Sequence, residues 1–262
     1  MKAAHLWLAG QLIAFWPVWR WYGSRLSDGS DEPFGLLALA TALLFVVLHG
    51  KPQMPTARQL VVSSAFLVVY LASWPWVPPL VRAIVAVLTV SYTLSRTYLG
   101  RCLCPGVLGL LVLSLPVMAS LQFFAGYPAR VITAHAAAPL IQLTGFPVLA
   151  QGTNLAWLGE IVAVDAPCAG LRMVWTGMYL SSALACFMRL GPGATWLGYG
   201  LALVAILGGN IVRAALLFYG EAGIVTFAGW MHSGIGLVVF AFVAVSIAIL
   251  SRLLQRRMPC IA

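Results

Sequence analysis

The sequence has very few charged residues. Only 8% of its 262 residues are charged and only 6 are acidic, whereas 62% are hydrophobic. A soluble globular domain averages about 25% charged and about 45–50% apolar residues. This composition excludes a soluble globular domain and indicates an integral membrane protein.

The sequence also lacks room for a separate large soluble domain. A spanning helix needs roughly 20 apolar residues, so the length permits about eight spans joined by short connections. Residues 1–10 carry no small-residue cleavage site, which predicts an uncleaved first span rather than a signal peptide. We therefore predict an all-α polytopic membrane protein with a single membrane domain over residues 1–262. Hydropathy, glycine, proline and charge place the expected spans at roughly Ala3–Trp21, Phe34–His49, Leu60–Trp76, Leu80–Ser95, Val107–Phe124, Gly170–Met188, Ala194–Tyr219 and Ile235–Leu254.

These spans divide the chain into three parts. Residues 1–124 hold five expected spans, residues 125–167 form a long extracytoplasmic segment, and residues 168–262 hold three more spans. The first part of the segment has the composition of a helix lying on the membrane, and the second carries turn signals at 152–154 and 158–160. We expect a small helix and a hairpin there, and a loop of this length is usually functional.

The basic residues indicate topology rather than nucleic-acid binding. The net charge is +9, but the basic residues are scattered singly along the chain. Cytoplasmic loops hold an excess of Lys and Arg, which predicts an N-in, C-in orientation with Arg20 and Arg25 of the first hairpin on the wrong side. The inner face would then carry Lys2, Lys51, Arg58, Arg96, Arg101, Arg189, Arg252, Arg256 and Arg257, and the outer face Asp28, Asp31, Glu32, Glu160, Asp165 and Glu221.

Among the five cysteines, only Cys168 is predicted to face outward. It has no outward partner for a disulfide, and a buried structural thiol is one interpretation of it. The other cysteines map to the inner side. Cys102, Cys104 and Cys186, with His49, make an incomplete ligand set, so we predict no metal and no cofactor.

Polar residues at the outer helix ends are the strongest functional signal. Asn210 and Arg213 lie three residues apart on one face of the seventh expected span, and His232 stands at the outer end of the eighth. An intramembrane arginine costs at least about 2.5–3.5 kcal/mol on insertion scales, so it normally faces the protein interior. Arg213 could merely pair with Asp165 or Glu221, and His232 could simply be a satisfied hydrogen-bonding residue. Because Cys168 lies at the same outer level, a bundle could instead bring the three together.

That convergence would make a nucleophilic site. A thiol reacts as the thiolate, which a neighbouring imidazolium, a guanidinium or a helix N-terminus stabilises. His232 would transfer protons, and Arg213 would stabilise the thiolate or an oxyanion. Asp165 could orient His232 or neutralise Arg172, and the sequence leaves both alternatives open.

Three sequence blocks carry a family resemblance. APCAGLRMVW, GGNIVRAALLFYGEAG and GWMHSGIGLVVF resemble, in order, the signature blocks of the exosortase/archaeosortase family. The similarity spans roughly Pro139–Phe240. This sequence differs from the common pattern at Pro167 and Ala169 beside the cysteine and at Ser233 after the histidine.

The resemblance implies a membrane cysteine protease-transpeptidase. Cys168 would be the nucleophile, Arg213 the second catalytic residue and His232 the general acid/base, with Arg172 and Asn210 in support. Its partners would be the C-terminal sorting-signal helix of a PEP-CTERM-type substrate and a membrane lipid or glycan acceptor, with no nucleic acid. The expected location is the cytoplasmic membrane of a prokaryote, and the oligomeric state stays open.

Three alternatives remain at the level of the sequence. Arg213 and His232 could line the pathway of a non-catalytic transporter or channel, although no matching interrupted helix occurs in the first half. The enzyme could hydrolyse its thioacyl intermediate without transfer. A relative of this family could also serve the assembly of exported polysaccharide.

Overall fold

The computed structural model describes residues 2–27, 34–164 and 170–258. Within these ranges the chain is mainly helical, with a π-helical turn at Leu94–Tyr98 after the fifth helix. The helices are α1 Lys2–Ala14, α2 Trp16–Ser27, α3 Phe34–His49, α4 Ala57–Ser73, α5 Pro79–Thr93, α6 Pro105–Ser114, α7 Met118–Gln142, α8 Leu171–Phe187, α9 Pro192–Glu221 and α10 Met231–Arg257. Three strands stand between α7 and α8: β1 Leu149–Gln151, β2 Asn154–Trp157 and β3 Glu160–Ala163.

The described helices confirm a largely helical integral membrane protein but do not support eight spans. By length and composition, the segments Pro79–Tyr98, Pro192–Glu221 and Met231–Arg257 can each cross a membrane. The count rises to four if α6 and α7 together form one broken span. Helices α3 and α4 are apolar, but they fall below 18 residues.

Two of the expected spans were predicted as continuous helices but are interrupted in the structure. A proline explains each interruption. The expected span Ala3–Trp21 is divided at Phe15, just before Pro17, which has no N–H to donate to a carbonyl in the preceding turn. The expected span Val107–Phe124 is divided before Pro116. There Leu115 adopts an extended conformation (φ −70°, ψ 154°), the conformation that a following proline favours.

The long segment predicted to lie outside the cytoplasm contains the expected kinds of structure, but their extent differs. The expected surface helix is the C-terminal part of α7, which already begins at Met118 and contains Pro128 and Pro139. The expected hairpin is confirmed and gains a strand, because β1, β2 and β3 form an antiparallel meander.

Both hairpin turns lie where the turn signals predicted them. Leu158 and Gly159, between β2 and β3, have φ values of 49° and 89°, the pattern of a type I′ turn. Gly152, between β1 and β2, has a φ of 61°. A type II′ turn requires a positive φ at its first central residue, and glycine usually occupies that position.

The described residues gather into two compact units. The first comprises residues 1–117, 181–197 and 253–262. In this unit Gly35 of α3 packs directly against the backbone of Ser114 in α6. A Cβ at Gly35 would overlap the carbonyl oxygen of Ser114.

The second unit comprises residues 118–180 and 198–252. Its hydrophobic core joins α7, the sheet and the C-terminal part of α9. Leu155 from β2 and Phe218 from α9 are both almost fully buried in this cluster. The packing holds the sheet beside the end of α9, where the candidate site lies.

The contact between α3 and α6 predicts a stability difference between two glycine-to-alanine variants. Gly35→Ala should lower the free energy of unfolding by about 1–3 kcal/mol, because the added methyl group must displace backbone at Ser114. Gly10→Ala is the control, since nothing lies within 4 Å of its Cβ position and alanine favours a helix. Unfolding of the purified protein by SDS titration in mixed micelles measures both. Equal stability of the two variants would show that α3 and α6 are not in close contact.

Candidate active site

Four of the six predicted site residues lie in the described part of the chain, and all four belong to the second unit. They are Arg172, Asn210, Arg213 and His232. Cys168 and Asp165 lie outside the described residues. The predicted role of Asp165, beside His232 or Arg172, is therefore not tested.

Gly170, two residues after Cys168 in the sequence, packs against Asn210. Gly170 has a φ of 77°, and a Cβ built on it would lie 2.5 to 2.8 Å from the Cγ, Nδ2 and Oδ1 atoms of Asn210. The amide is 3% exposed, and its Nδ2 donates a hydrogen bond of 3.2 Å to Oγ1 of Thr133 on α7. Only glycine fits at position 170, for reasons of both conformation and space. The asparagine therefore packs against the residue that directly precedes α8.

Arg213 lies beside the first turns of α10. A Cβ built on Gly236 would lie 3.3 Å from Nε of Arg213, so the absence of a side chain makes room for the guanidinium. Gly236 follows His232 by one helical turn. Arg213 therefore lies beside the end of α10 that carries the histidine.

His232 has an acidic neighbour that the sequence analysis did not assign to it. Its Nδ1 lies 3.5 Å from Oε1 of Glu221, the last residue of α9, with the two side chains 45% and 56% exposed. The connection from α9 to α10 folds back to bring them together. The ring of Phe227 covers Gly220, and Val225 N–H donates to the carbonyl of Tyr219 at 2.9 Å.

Glu221 and His232 line a cavity of about 260 Å³. Strand β3 and the residue after it contribute four consecutive lining residues, from Ile161 to Val164. Helix α9 contributes Ala214, Leu217 and Phe218. Most of the lining residues are thus apolar in type, and Glu221 and His232 add a carboxylate and an imidazole.

Arg172 is separate from this cavity. It is the second residue of α8, its side chain is exposed, and it does not line the cavity. Its carbonyl accepts a hydrogen bond from Oγ1 of Thr176 at 2.8 Å.

The sequence did not predict Thr133 as a site residue, nor Glu221 as the neighbour of His232. Thr133 lies in the segment expected to form a surface helix, where nothing distinguishes it from other polar residues. Glu221 was expected as an alternative partner of Arg213. Its position after the seventh expected span could have indicated the pairing with His232. The histidine follows 11 residues later, at the same predicted outer level.

The inner cysteines lie elsewhere in the chain. Cys102, Cys104 and Cys186 all belong to the first unit. His49, the imidazole considered with them, packs against the rings of Phe45 and Phe187 at centroid distances of 4.7 and 6.3 Å. In the described ranges, no three His, Cys, Asp or Glu side chains are grouped so that they could hold a metal ion.

Comparison with known families identifies the chain. The family model described as "Transmembrane exosortase (Exosortase_EpsH)" matches residues 2–249. The chain therefore belongs to the transmembrane exosortase family, and the match includes the N-terminal half that the sequence blocks did not cover. No curated protein and no solved structure gives a significant match.

The contact between Gly170 and Asn210 predicts a specific sensitivity. Gly170→Ala should lower the free energy of unfolding more than Gly223→Ala does, because its methyl group overlaps Asn210 in addition to the cost of positive φ, about 1–2 kcal/mol. Gly223→Ala is matched to it, since Gly223 also has a positive φ of 69° but nothing within 4 Å of its Cβ position. SDS titration in mixed micelles measures the stability of both variants. Equal losses in the two variants would show that Asn210 does not pack against Gly170.

Proposed function

We propose that this member of the transmembrane exosortase family is a cysteine transpeptidase that cleaves C-terminal sorting signals of exported proteins. The observation that supports it most is the gathering of three motif blocks in one unit. Gly170, two residues after Cys168, packs on Asn210, and Arg213 packs on Gly236, one turn after His232. The proposal is that the thiol of Cys168 reacts beside this guanidinium and this imidazole.

The proposed reaction proceeds through a thioester. His232 accepts the proton of the Cys168 thiol, and the sulfur attacks the scissile carbonyl carbon. Arg213 stabilises the oxyanion of the tetrahedral intermediate. The C–N bond then breaks, and His232 returns the proton to the leaving amine of the C-terminal tail. A hydroxyl or amine of a lipid or glycan acceptor attacks the thioester, forms the new acyl bond and releases the thiol.

Glu221 gives His232 its orientation in this scheme. A carboxylate beside Nδ1 favours the tautomer that carries a proton there. Nε2 is then the atom available to the thiol. The observed 3.5 Å between Nδ1 and Oε1 supports this role for Glu221, which the sequence had assigned to Asp165 as one alternative.

The proposed location follows from the charges and the family. We place the protein in the cytoplasmic membrane of a prokaryote, with both termini inside and the site on the outer face. The substrate would be held by its own C-terminal apolar helix within the same bilayer.

Hydrolysis is the second candidate outcome. The side chains of His232 and Glu221 are 45% and 56% exposed, so water can reach the cavity. The mass of the released protein distinguishes the two reactions, because transfer adds the mass of the acceptor and hydrolysis adds one water.

Replacement of Cys168 tests the proposal. Cys168→Ala should abolish processing of a reporter protein that ends in a PEP-CTERM-type tail from the same proteome, while the variant still accumulates in the membrane, because the nucleophile is lost. Cys102→Ala is the control, since Cys102 is an exposed thiol of the first unit. Immunoblots of the reporter measure the uncleaved fraction. Normal processing by Cys168→Ala would refute the proposed chemistry.

Replacement of Glu221 tests the orientation of His232. Glu221→Gln should lower kcat by no more than about fivefold and leave KM nearly unchanged, because an exposed pair contributes about 0.2–1 kcal/mol. Glu160→Gln is the control, since Glu160 is also exposed in the second unit but does not line the cavity. Steady-state cleavage of a fluorogenic tail peptide measures both variants. If Glu221→Gln behaves as Glu160→Gln does, Glu221 has no part in orienting the imidazole.

A further inference from the structure

Strand β3 is an edge of the sheet. The strand order is β1-β2-β3, so β3 pairs on one side only, with β2. Among the described residues, no other strand and no backbone hydrogen bond from another element joins its outer side. An open edge presents N–H and C=O groups that a further extended chain can pair with.

The register shows which groups face outward. Val164 N–H donates to the carbonyl of Thr153 at 2.9 Å, and these two residues stand opposite each other in the register of β2 and β3. Hydrogen-bonded and non-hydrogen-bonded pairs alternate along an antiparallel ladder. Val162 therefore bonds to β2, whereas Ile161 and Ala163 direct their N–H and C=O groups away from it.

This open edge faces the candidate catalytic residues. The residues from Ile161 to Val164 all line the cavity that Glu221 and His232 also line. Successive side chains of a strand point to opposite faces, so four consecutive lining residues mean that the edge of the strand itself borders the cavity. The outward backbone groups and the imidazole thus share one space.

We propose that the open edge of β3 binds the recognition segment of the sorting signal as an added strand. This inference rests on the proposed function and names how its substrate is held. Main-chain hydrogen bonds to Ile161 and Ala163 would hold the segment extended, as in other peptide-binding sheet edges. The apolar wall formed by Ala214, Leu217 and Phe218 would receive a side chain, and the scissile bond would lie toward His232.

The chemistry of the edge selects an extended peptide as the occupant. Donor and acceptor alternate along the outer side of β3, and only another backbone offers the complementary alternation. A lipid chain would leave these groups without hydrogen bonds, which is costly away from water. The cavity adjoins residues of the proposed catalytic site, so a bound peptide would already lie beside the reacting groups.

Photo-crosslinking tests the position of the peptide. In the Cys168→Ala protein, p-benzoylphenylalanine at Ile161 should crosslink to a reporter that ends in a PEP-CTERM-type tail, and the same residue at Leu149 should not. The two positions are matched, because Ile161 and Leu149 are 65% and 61% exposed and lie on opposite edge strands. Mass spectrometry of the crosslinked peptide should identify residues on the N-terminal side of the scissile bond.

The outcomes separate this inference from the proposed function. Crosslinking at Ile161 without cleavage by the wild-type protein would support the binding edge and refute the transpeptidase. Cleavage without preferential crosslinking at Ile161 would refute the binding edge and leave the transpeptidase standing. The absence of both crosslinking and cleavage would refute both.

A kinetic comparison tests the backbone hydrogen bonds themselves. Ala163→Pro removes an outward N–H and should raise KM for the fluorogenic tail peptide about 2- to 10-fold with kcat little changed. Ala150→Pro removes the corresponding outward N–H on β1, at the opposite edge, and should leave KM as it is. Proline is tolerated at sheet edges. Equal KM values in the two variants would overturn the inference.

Discussion

The candidate site depends on close approach at two glycines. Gly170 leaves space for the side chain of Asn210, and Gly236 leaves space for the guanidinium of Arg213. Each of these glycines belongs to a sequence block that also carries a candidate catalytic residue, Cys168 in one case and His232 in the other. The blocks are therefore parts of one packed arrangement, and a methyl group at either glycine would force its polar neighbour to move.

This packing explains how polar groups are kept in so apolar a protein. Asn210 is buried but bonded to Thr133, which reduces the cost of removing its amide from water. His232 and Glu221 stand at the more exposed end of the site, where an ion pair gains little but water and a substrate have access. The buried part of the candidate site is held by packing, and the exposed part is open to water.

Much of this could be predicted from the sequence, and the failures have physical causes. Scarcity of charge predicted the membrane, and the turn residues at 152–154 and 158–160 predicted the hairpins, because both signals are local. Hydropathy missed the interruptions before Pro17 and Pro116, since both stretches are apolar throughout and the missing N–H does not alter hydropathy. The pairing of Glu221 with His232 depends on how the loop between α9 and α10 folds back on Phe227, which periodicity does not determine.

The central claim is that Cys168 carries the acyl group of the substrate. Intact mass spectrometry of the purified protein, acid-quenched during cleavage of a tail peptide without acceptor, tests it most directly. The account predicts an adduct with the mass of the acyl product on Cys168, and its loss on treatment with hydroxylamine. Cleavage of the peptide with no adduct on Cys168, or with the adduct on another residue, would contradict it.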